Sequence, residues 1–250
     1  MKNLILITVI ISALFSCGQP KVKSTPVEIM EQAHRKNSFL KKDILKYDLQ
    51  LFFGGNERLN VTITTLTNST KAIISLNDSS QIMVDGSDVY YSSNYKKVNS
   101  VRFDAYTWNY FTLFPYKLSD PGTIWSSEST QDLNETTYNF QTLTFKANTG
   151  DDPDDWYKVY SDQKTHLIKA AAYIVTAGKT KEEAEKDPHA IEYTNYLEVD
   201  SIPLATKWTF WGWQEDKGLT DKLGSATLSN FEFLSNQSVS FDIPTNFIKE

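Results

Sequence analysis

Four aspartates lie within five residues near the middle of the chain, in the stretch NTGDDPDDWYKVY. They are Asp151, Asp152, Asp154 and Asp155. Carboxylate oxygens are ligands for hard cations such as calcium, so the cluster is a weak candidate metal site. It lacks the central glycine and terminal glutamate of a regular calcium-binding loop. The pattern is more typical of a solvated loop shaped by Pro153, and we predict no metal there.

The histidines form no catalytic or metal-binding pattern. His34, His166 and His189 are far apart, and no two have the spacing of a zinc site. The sequence also lacks the motifs of zinc proteases, serine hydrolases and phosphate-binding loops. We therefore expect a protein that is not an enzyme and binds no cofactor. A metal-dependent envelope hydrolase that uses Asp104 and the aspartate loop is the less favoured alternative.

The only cysteine, Cys17, follows a signal-like segment, MKNLILITVIISALFS. Its apolar run is shorter than the ~20 residues that span a bilayer, but it is typical of a secretory signal. Ser16 and Cys17 resemble a bacterial lipobox, in which the cysteine receives the lipid. We predict a signal peptide over residues 1–16, an acylated Cys17 as lipid anchor, and a flexible tether over residues 17–26.

The charge of the chain restricts its partners. Residues 1–16 contain one of the 25 basic residues and none of the 31 acidic ones, so the remainder carries 24 − 31 = −7. An acidic domain argues against nucleic acid and against a polybasic contact with anionic lipids. Residues 27–250 have the length of a single domain. No acidic run follows the cysteine, so we place the protein at the outer membrane, facing the periplasm.

Two aromatic segments are candidates for a ligand cavity. In KWTFWGWQ, strand geometry puts Trp211 and Trp213 on one face and Trp208 and Phe210 on the other. Residues 101–117, VRFDAYTWNYFTLFPYK, are too densely apolar for a solvated strand and predict a buried helix. These rings either pack a core or line an apolar cavity. The cavity candidates are Phe103, Tyr106, Trp108, Phe111, Phe114, Trp208, Trp211 and Trp213.

The elements that must position these residues are mostly strands. Residues 27–42 predict an amphipathic helix, and after it short apolar runs alternate with turn residues such as Asp85-Gly86. Leu59, Val61 and Ile63 alternate with polar residues, which indicates a strand with one buried face. The stretch GKTKEEAEKDPHA predicts a short surface helix. The pattern indicates an antiparallel meander.

Three pieces carry a resemblance to a known family: WYKVYSDQKTHLIKAAAYIV, IEYTNYLEVDSIPLATKWTFW and ATLSNFEFLSNQSVSFDIPTNF. Their succession resembles the C-terminal half of bacterial outer-membrane lipoprotein-sorting and carrier domains. The mature chain also resembles an uncharacterised bacterial lipoprotein family, a domain of unknown function, through RFDAYTWNYFTLFPYKLSD and VTAGKTKEEAEKDPHAI. The resemblance implies a mainly β (α+β) fold: a strongly curved antiparallel sheet, or open half-barrel, with an N-terminal helix and a helical plug.

This fold implies a ligand and a partner. We expect the apolar concavity to bind an acyl chain, a lipid or an acylated protein, and the acylated N-terminus to hold the domain at the membrane. Because carriers that cross the periplasm are soluble, an anchored form is better suited to receiving cargo than to shuttling it. The alternative is a structural or interaction lipoprotein with a filled core. A cavity below ~300 Å³ would favour this alternative.

Overall fold

The alternating apolar segments form one antiparallel sheet, and the computed structural model describes residues 24–250 of the chain. The predicted signal peptide and Cys17 therefore lie outside the described residues. The strands are β1 (Ile44–Phe53), β2 (Asn56–Leu66), β3 (Lys71–Leu76), β4 (Gln81–Asp85), β5 (Asp88–Tyr91), β6 (Thr123–Trp125), β7 (Ser129–Leu133), β8 (Thr136–Phe145), β9 (Tyr157–Ser161), β10 (Ile168–Tyr173), β11 (His189–Val199), β12 (Ile202–Gln214), β13 (Gly218–Leu234) and β14 (Ile248–Lys249).

The strand order explains the shape of the molecule. The order across the sheet is β14-β5-β4-β3-β2-β1-β13-β12-β11-β10-β9-β8-β6, with β7 also paired to β8. Within the described residues the sheet remains open, with β14 and β6 at its two ends. The long twisted sheet curves around a helical segment, which confirms the predicted open half-barrel with a helical plug.

The helices are α1 (Pro26–Ala33), α2 (Lys36–Phe39), α3 (Val101–Leu113) and α4 (Lys181–Ala184). The predicted helix over residues 27–42 is two helices, because Arg35 between them has φ of 58°. A capping box of Thr25 and Glu28 starts α1, with Pro26 as its first residue. The short helix predicted in the insertion is α4.

Helix α3 occupies the concave side of the sheet, as predicted for residues 101–117. A 3-10 turn over Phe114–Tyr116 extends it. The helix buries Val101, Ala105 and Trp108 at helical spacing, together with Phe111. Facing it, β1 and β2 present alternate apolar side chains, including the predicted Leu59, Val61 and Ile63. The core is therefore a layer between the curved sheet and the helices, chiefly α3.

A second, smaller apolar cluster lies on the convex face. It contains Tyr160, Trp213 and alanines of β10 and β11. The β7–β8 hairpin contributes Leu133 to it, and the hairpin turn is fixed to β13 by Asn134, whose side-chain oxygen accepts the Leu219 N–H at 2.9 Å. Among the described helices, none is long and apolar enough to cross a membrane.

Candidate functional site

Four of the predicted cavity residues converge in the concavity. The ring of Phe111 lies 6.3 Å from Trp208 of β12 and 5.1 Å from Tyr173 of β10, measured between centroids. Trp108 lies 6.5 Å from Phe111, and Phe114 lies 5.2 Å from Tyr157 of β9. The four predicted residues are all buried. The helix side chains thus occupy the space beside the sheet that a ligand would fill.

Two further candidates lie at the edge of the concavity. Phe103 contacts Trp108 at 5.7 Å between centroids, but 37% of its side chain is exposed. Tyr106 points towards the β4–β5 turn, where its hydroxyl donates to the Gly86 carbonyl at 3.1 Å. Both residues lie at the edge of the concavity and do not line its interior.

Trp211 and Trp213 do not line the concavity. Both belong to the cluster on the convex face, where Trp213 lies 6.0 Å from Trp156 and the Trp211 indole donates to Glu192. Strand alternation separates them from Trp208, as predicted, but only Trp208 is on the helix side. Their assignment to the cavity is therefore corrected.

A buried ion pair fixes the N-terminal half of α3 to the sheet. Asp104 is 1% exposed, and both its oxygens accept from Nη2 of Arg58 on β2, at 2.8 and 2.9 Å. The same carboxylate accepts from the Tyr95 hydroxyl, the Ser100 hydroxyl and the Trp108 indole at 3.0–3.1 Å. A carboxylate with so many donors is an anchor for the helix, since its lone pairs are already occupied.

The central part of α3 contacts the sheet through a second polar network. Thr112 donates to the Tyr47 hydroxyl at 2.8 Å, and that hydroxyl donates to Asn109 at 3.5 Å. The Asn109 amide donates to Thr65 of β2 at 3.1 Å. All four residues are buried. The helix therefore contacts the sheet through hydrogen bonds as well as through packed rings.

The concavity is almost completely filled. The remaining gap beside Phe111, Tyr116 and Trp208 has a volume of about 10 Å³. The hydroxyls of Tyr193 and Tyr116 donate to backbone carbonyls of Phe111 and Pro203 and so bridge the helical segment and the sheet. In this conformation the concavity has no room for an acyl chain, because ligand pockets are ~300–1,000 Å³.

The aspartate loop does not assemble into a metal site. Asp151 forms an ion pair with Arg102 on the exposed side of α3, at 2.7 Å. Asp155 instead accepts from the backbone and hydroxyl of Thr176, and burial raises the pKa of this carboxyl to about 6. Within residues 24–250, no group of three acidic, histidine or cysteine side chains could hold a metal ion. Asp104 is paired elsewhere, so the proposed acids do not converge.

The histidines do not converge on a common site either. His34 is fully buried between Tyr116 and Tyr196, and its Nε2 accepts the backbone N–H of Ile168 at 3.0 Å. Burial lowers the pKa of His34 to about 3, so the ring is neutral. His34 thus attaches α1 to β10. Its sequence context gave no sign of this contact.

Solved structures share this architecture. A LolA superfamily protein from Nitrosomonas europaea aligns with a TM-score of 0.56 at 10% identity, over 89% of this chain and 96% of that one. The chain has the LolA-like fold. A DUF1329 family protein from Desulfovibrio piger gives 0.53 at 10% identity, over 87% and 96% of the two chains. A domain assigned to outer membrane lipoprotein sorting from Vibrio parahaemolyticus gives 0.50 at 11%, over 84% and 92%.

These matches confirm the predicted resemblance at the level of fold, and they extend it from the C-terminal half to most of the chain. No protein-family model matches the sequence, and no curated protein matches it. Because identities near 10% establish the fold alone, the function has to be argued from the site.

Sequence reasoning missed the polar half of the site. Asp104 and Trp108 are four residues apart on one helix face, a spacing that predicts their contact. Arg58 carries no such signal, because it lies 46 residues from Asp104 and only the fold brings the two together. Tyr47 likewise appears in the sequence as one more aromatic residue in a strand.

Proposed function

We propose that the protein is a lipid-anchored envelope protein that binds an acyl chain, of a lipid or an acylated protein, in its concavity when α3 moves out. One observation supports the proposal above all: the aromatic concave face of a LolA-like sheet is covered mainly by α3, which is attached to β1 and β2 through hydrogen bonds and the ion pair of Asp104 with Arg58. Cys17 is the proposed anchor and the cell envelope the proposed location. The proposed activity is binding, without catalysis.

The free energy gained by burying the rings of α3 can be compared with the free energy gained by burying an acyl chain. Burial of a large apolar side chain contributes ~1.5–3 kcal/mol, so Trp108, Phe111 and Phe114 together contribute ~5–9 kcal/mol. An acyl chain of about 16 carbons contributes ~12 kcal/mol at ~0.8 kcal/mol per buried methylene. One chain could therefore replace these rings with a surplus of ~3–7 kcal/mol, and a multiply acylated ligand would bind more tightly.

The polar network is consistent with a helix that can be displaced. Asp104, Asn109 and Thr112 project from α3 and would regain water if the helix left the sheet, which lowers the cost of separation relative to an all-apolar contact. The ion pair of Asp104 and Arg58 also costs less to separate than a fully buried pair, because the Arg58 side chain is already 28% exposed.

Quenching of tryptophan fluorescence tests acyl binding. The full-length protein in nanodiscs would be titrated with a lipopeptide carrying brominated palmitoyl chains, since Trp108 and Trp208 lie in the concavity. Asp104→Asn should tighten half-maximal quenching about tenfold, the effect of ~1.4 kcal/mol removed from the closed state. Asp151→Asn makes the same charge change on an exposed pair of the same helix and should stay within about twofold.

A milder variant and a second measurement complete the test. Ser100→Ala removes one donor to Asp104 and should have an intermediate effect. Native mass spectrometry of protein purified from membranes should show a bound acyl compound besides the covalent lipid on Cys17. If neither wild type nor any variant is quenched, and no bound lipid is detected, acyl binding is wrong.

A filled-core interaction lipoprotein is the second candidate. The observation that favours it is the residual gap of about 10 Å³, far below the size of a ligand pocket. It predicts that Asp104→Asn loses stability but gains no affinity for the lipopeptide. The same titration therefore separates the two functions.

A further inference from the structure

A second surface, separate from the concavity, has the properties of a peptide-binding groove. It lies between the N-terminus of α1 and the outer side of β6 and has a volume of about 530 Å³. It shares no lining residue with the gap in the concavity. The lining residues that bear on its ligand are Glu28, Asp120, Thr123, Trp125, Glu128 and Gln141.

The backbone of β6 has a free edge on this side. Ser126 N–H donates to the Thr142 carbonyl at 2.9 Å, and the Gly122 carbonyl accepts from Lys146 N–H at 2.8 Å. In an antiparallel ladder such bonds alternate, so Thr123 and Trp125, between these pairs, direct backbone groups away from β8. The Thr123 N–H donates to the Asp120 carbonyl at 3.2 Å, which leaves the Thr123 carbonyl and both backbone groups of Trp125 for a partner. Both residues line the groove, and β8 is the only described strand that pairs with β6. An extended peptide can add to an edge of this kind.

The side chains of the groove offer acceptors and an aromatic face. Gln141 is 5% exposed and its amide donates to the Ser126 carbonyl, while no donor within residues 24–250 reaches its Oε1. The indole of Trp125 donates to the Leu118 carbonyl at 2.7 Å, which fixes the ring at the groove wall. The Trp125 ring and the Gln141 Oε1 thus offer a ligand an aromatic face and a hydrogen-bond acceptor.

The charge of the groove indicates the charge of its ligand. Glu28, Asp120 and Glu128 line it, and its described lining contains no lysine or arginine. Asp120 pairs with Lys117 outside the lining, whereas Glu128 forms no ion pair within the described residues. Carboxylates beside an aromatic ring favour an ammonium or guanidinium group.

We infer that this groove binds an extended, lysine- or arginine-bearing peptide segment of a partner protein, which adds to the free edge of β6. Its backbone pairs with Trp125 and with the Thr123 carbonyl, and a basic side chain lies between Trp125 and Glu128. The inference is independent of acyl binding in the concavity.

Fluorescence anisotropy tests the inference with the full-length protein in phosphatidylcholine nanodiscs. The probe is a labelled heptapeptide of alternating lysine and valine. Glu128→Lys reverses the charge of an exposed side chain and should weaken binding about tenfold. Glu198→Lys, the same change at an exposed position of β11, should stay within about twofold.

A second peptide separates strand addition from simple charge attraction. N-methylation at alternate residues keeps the lysines but removes the hydrogen bonds to a strand edge, and it should weaken binding about tenfold. Equal binding of the methylated peptide, equal loss in both charge variants, or displacement by free lysine or by the nanodisc lipid alone would overturn the inference. So would failure of the wild type to bind the peptide.

Discussion

Two aromatic clusters on opposite faces of the same sheet differ in how they are covered. On the concave face, Tyr47 and Tyr193 bond their hydroxyls across to α3. On the convex face, the buried Tyr160 hydroxyl and Trp213 indole have no hydrogen-bond partner within the described residues. The tyrosine hydroxyls named on the concave face thus have partners, whereas two buried polar groups of the convex cluster do not.

The covering elements differ as well. Helix α3 is joined to the sheet by loops at both ends, so it can leave without breaking strand pairs. The convex cover is the β7–β8 hairpin, and β8 is itself paired with β9. Aromatic content alone therefore does not distinguish the two faces; the connection of the covering element to the sheet does.

The largest expected difference concerns one tryptophan from each face. Trp208→Ala should lower the free energy of unfolding by about 4 kcal/mol, because the side chain is 1% exposed and contacts Phe111 and Tyr193. Trp211→Ala should cost about 1–2 kcal/mol, since Trp211 is partly exposed. Urea unfolding measures both. Equal losses would mean that the convex cluster is as important to stability as the concave one.

Trp208 and Trp211 also show how much of the fold can be predicted from the sequence. Strand periodicity predicts that Trp208 and Trp211 face opposite sides, but it cannot tell which side holds the helix. The apolar density of residues 101–117 predicts α3 and its burial. Whether its rings fill the concavity depends on packing between elements that are distant in sequence. Patterns within one element carry no information about that packing.

Local chemistry has similar limits. The capping box of Thr25 and Glu28, which starts α1, can be recognised from the sequence. The break between α1 and α2 cannot be recognised there, because Arg35 adopts its positive φ without a glycine. The edge groove at Gln141 is likewise the product of three segments that meet only in the fold.

Acid should lower the free energy of unfolding through His34. Its pKa is lowered by burial from 6.5 to about 3, so the unfolded chain binds a proton more readily than the folded one. Stability from this residue is fully present above about pH 6.5 and is lost as the pH falls towards 3. At about pH 4.5 the loss is ~2–3 kcal/mol, at ~1.4 kcal/mol per pKa unit.

His34→Gln isolates this effect. Its free energy of unfolding should be below that of the wild type at about pH 7, and the difference should shrink by ~2–3 kcal/mol at about pH 4.5. A constant difference between His34→Gln and wild type across this range would show that His34 is not buried in the neutral form.

The smallest effects should have opposite signs on the two faces. Tyr47→Phe removes the hydroxyl that accepts from Thr112 and donates to Asn109, and it should cost about 1–2 kcal/mol in urea unfolding. Tyr160→Phe removes a buried hydroxyl that has no partner, so it should be neutral or slightly stabilising. The two variants make the same chemical change, which leaves the polar surroundings as the difference between them.

A double-mutant cycle extends the comparison of hydroxyls. Tyr47→Phe combined with Thr112→Val should cost less than the sum of the single changes, because both remove the same hydrogen bond. Tyr160→Phe combined with Thr112→Val should be additive, since the residues lie on opposite faces of the sheet. If Tyr160→Phe instead destabilises as much as Tyr47→Phe, the Tyr160 hydroxyl has a partner in solution. The Trp213 indole of the same cluster would be that partner, and the two faces would then be alike in their polar contacts.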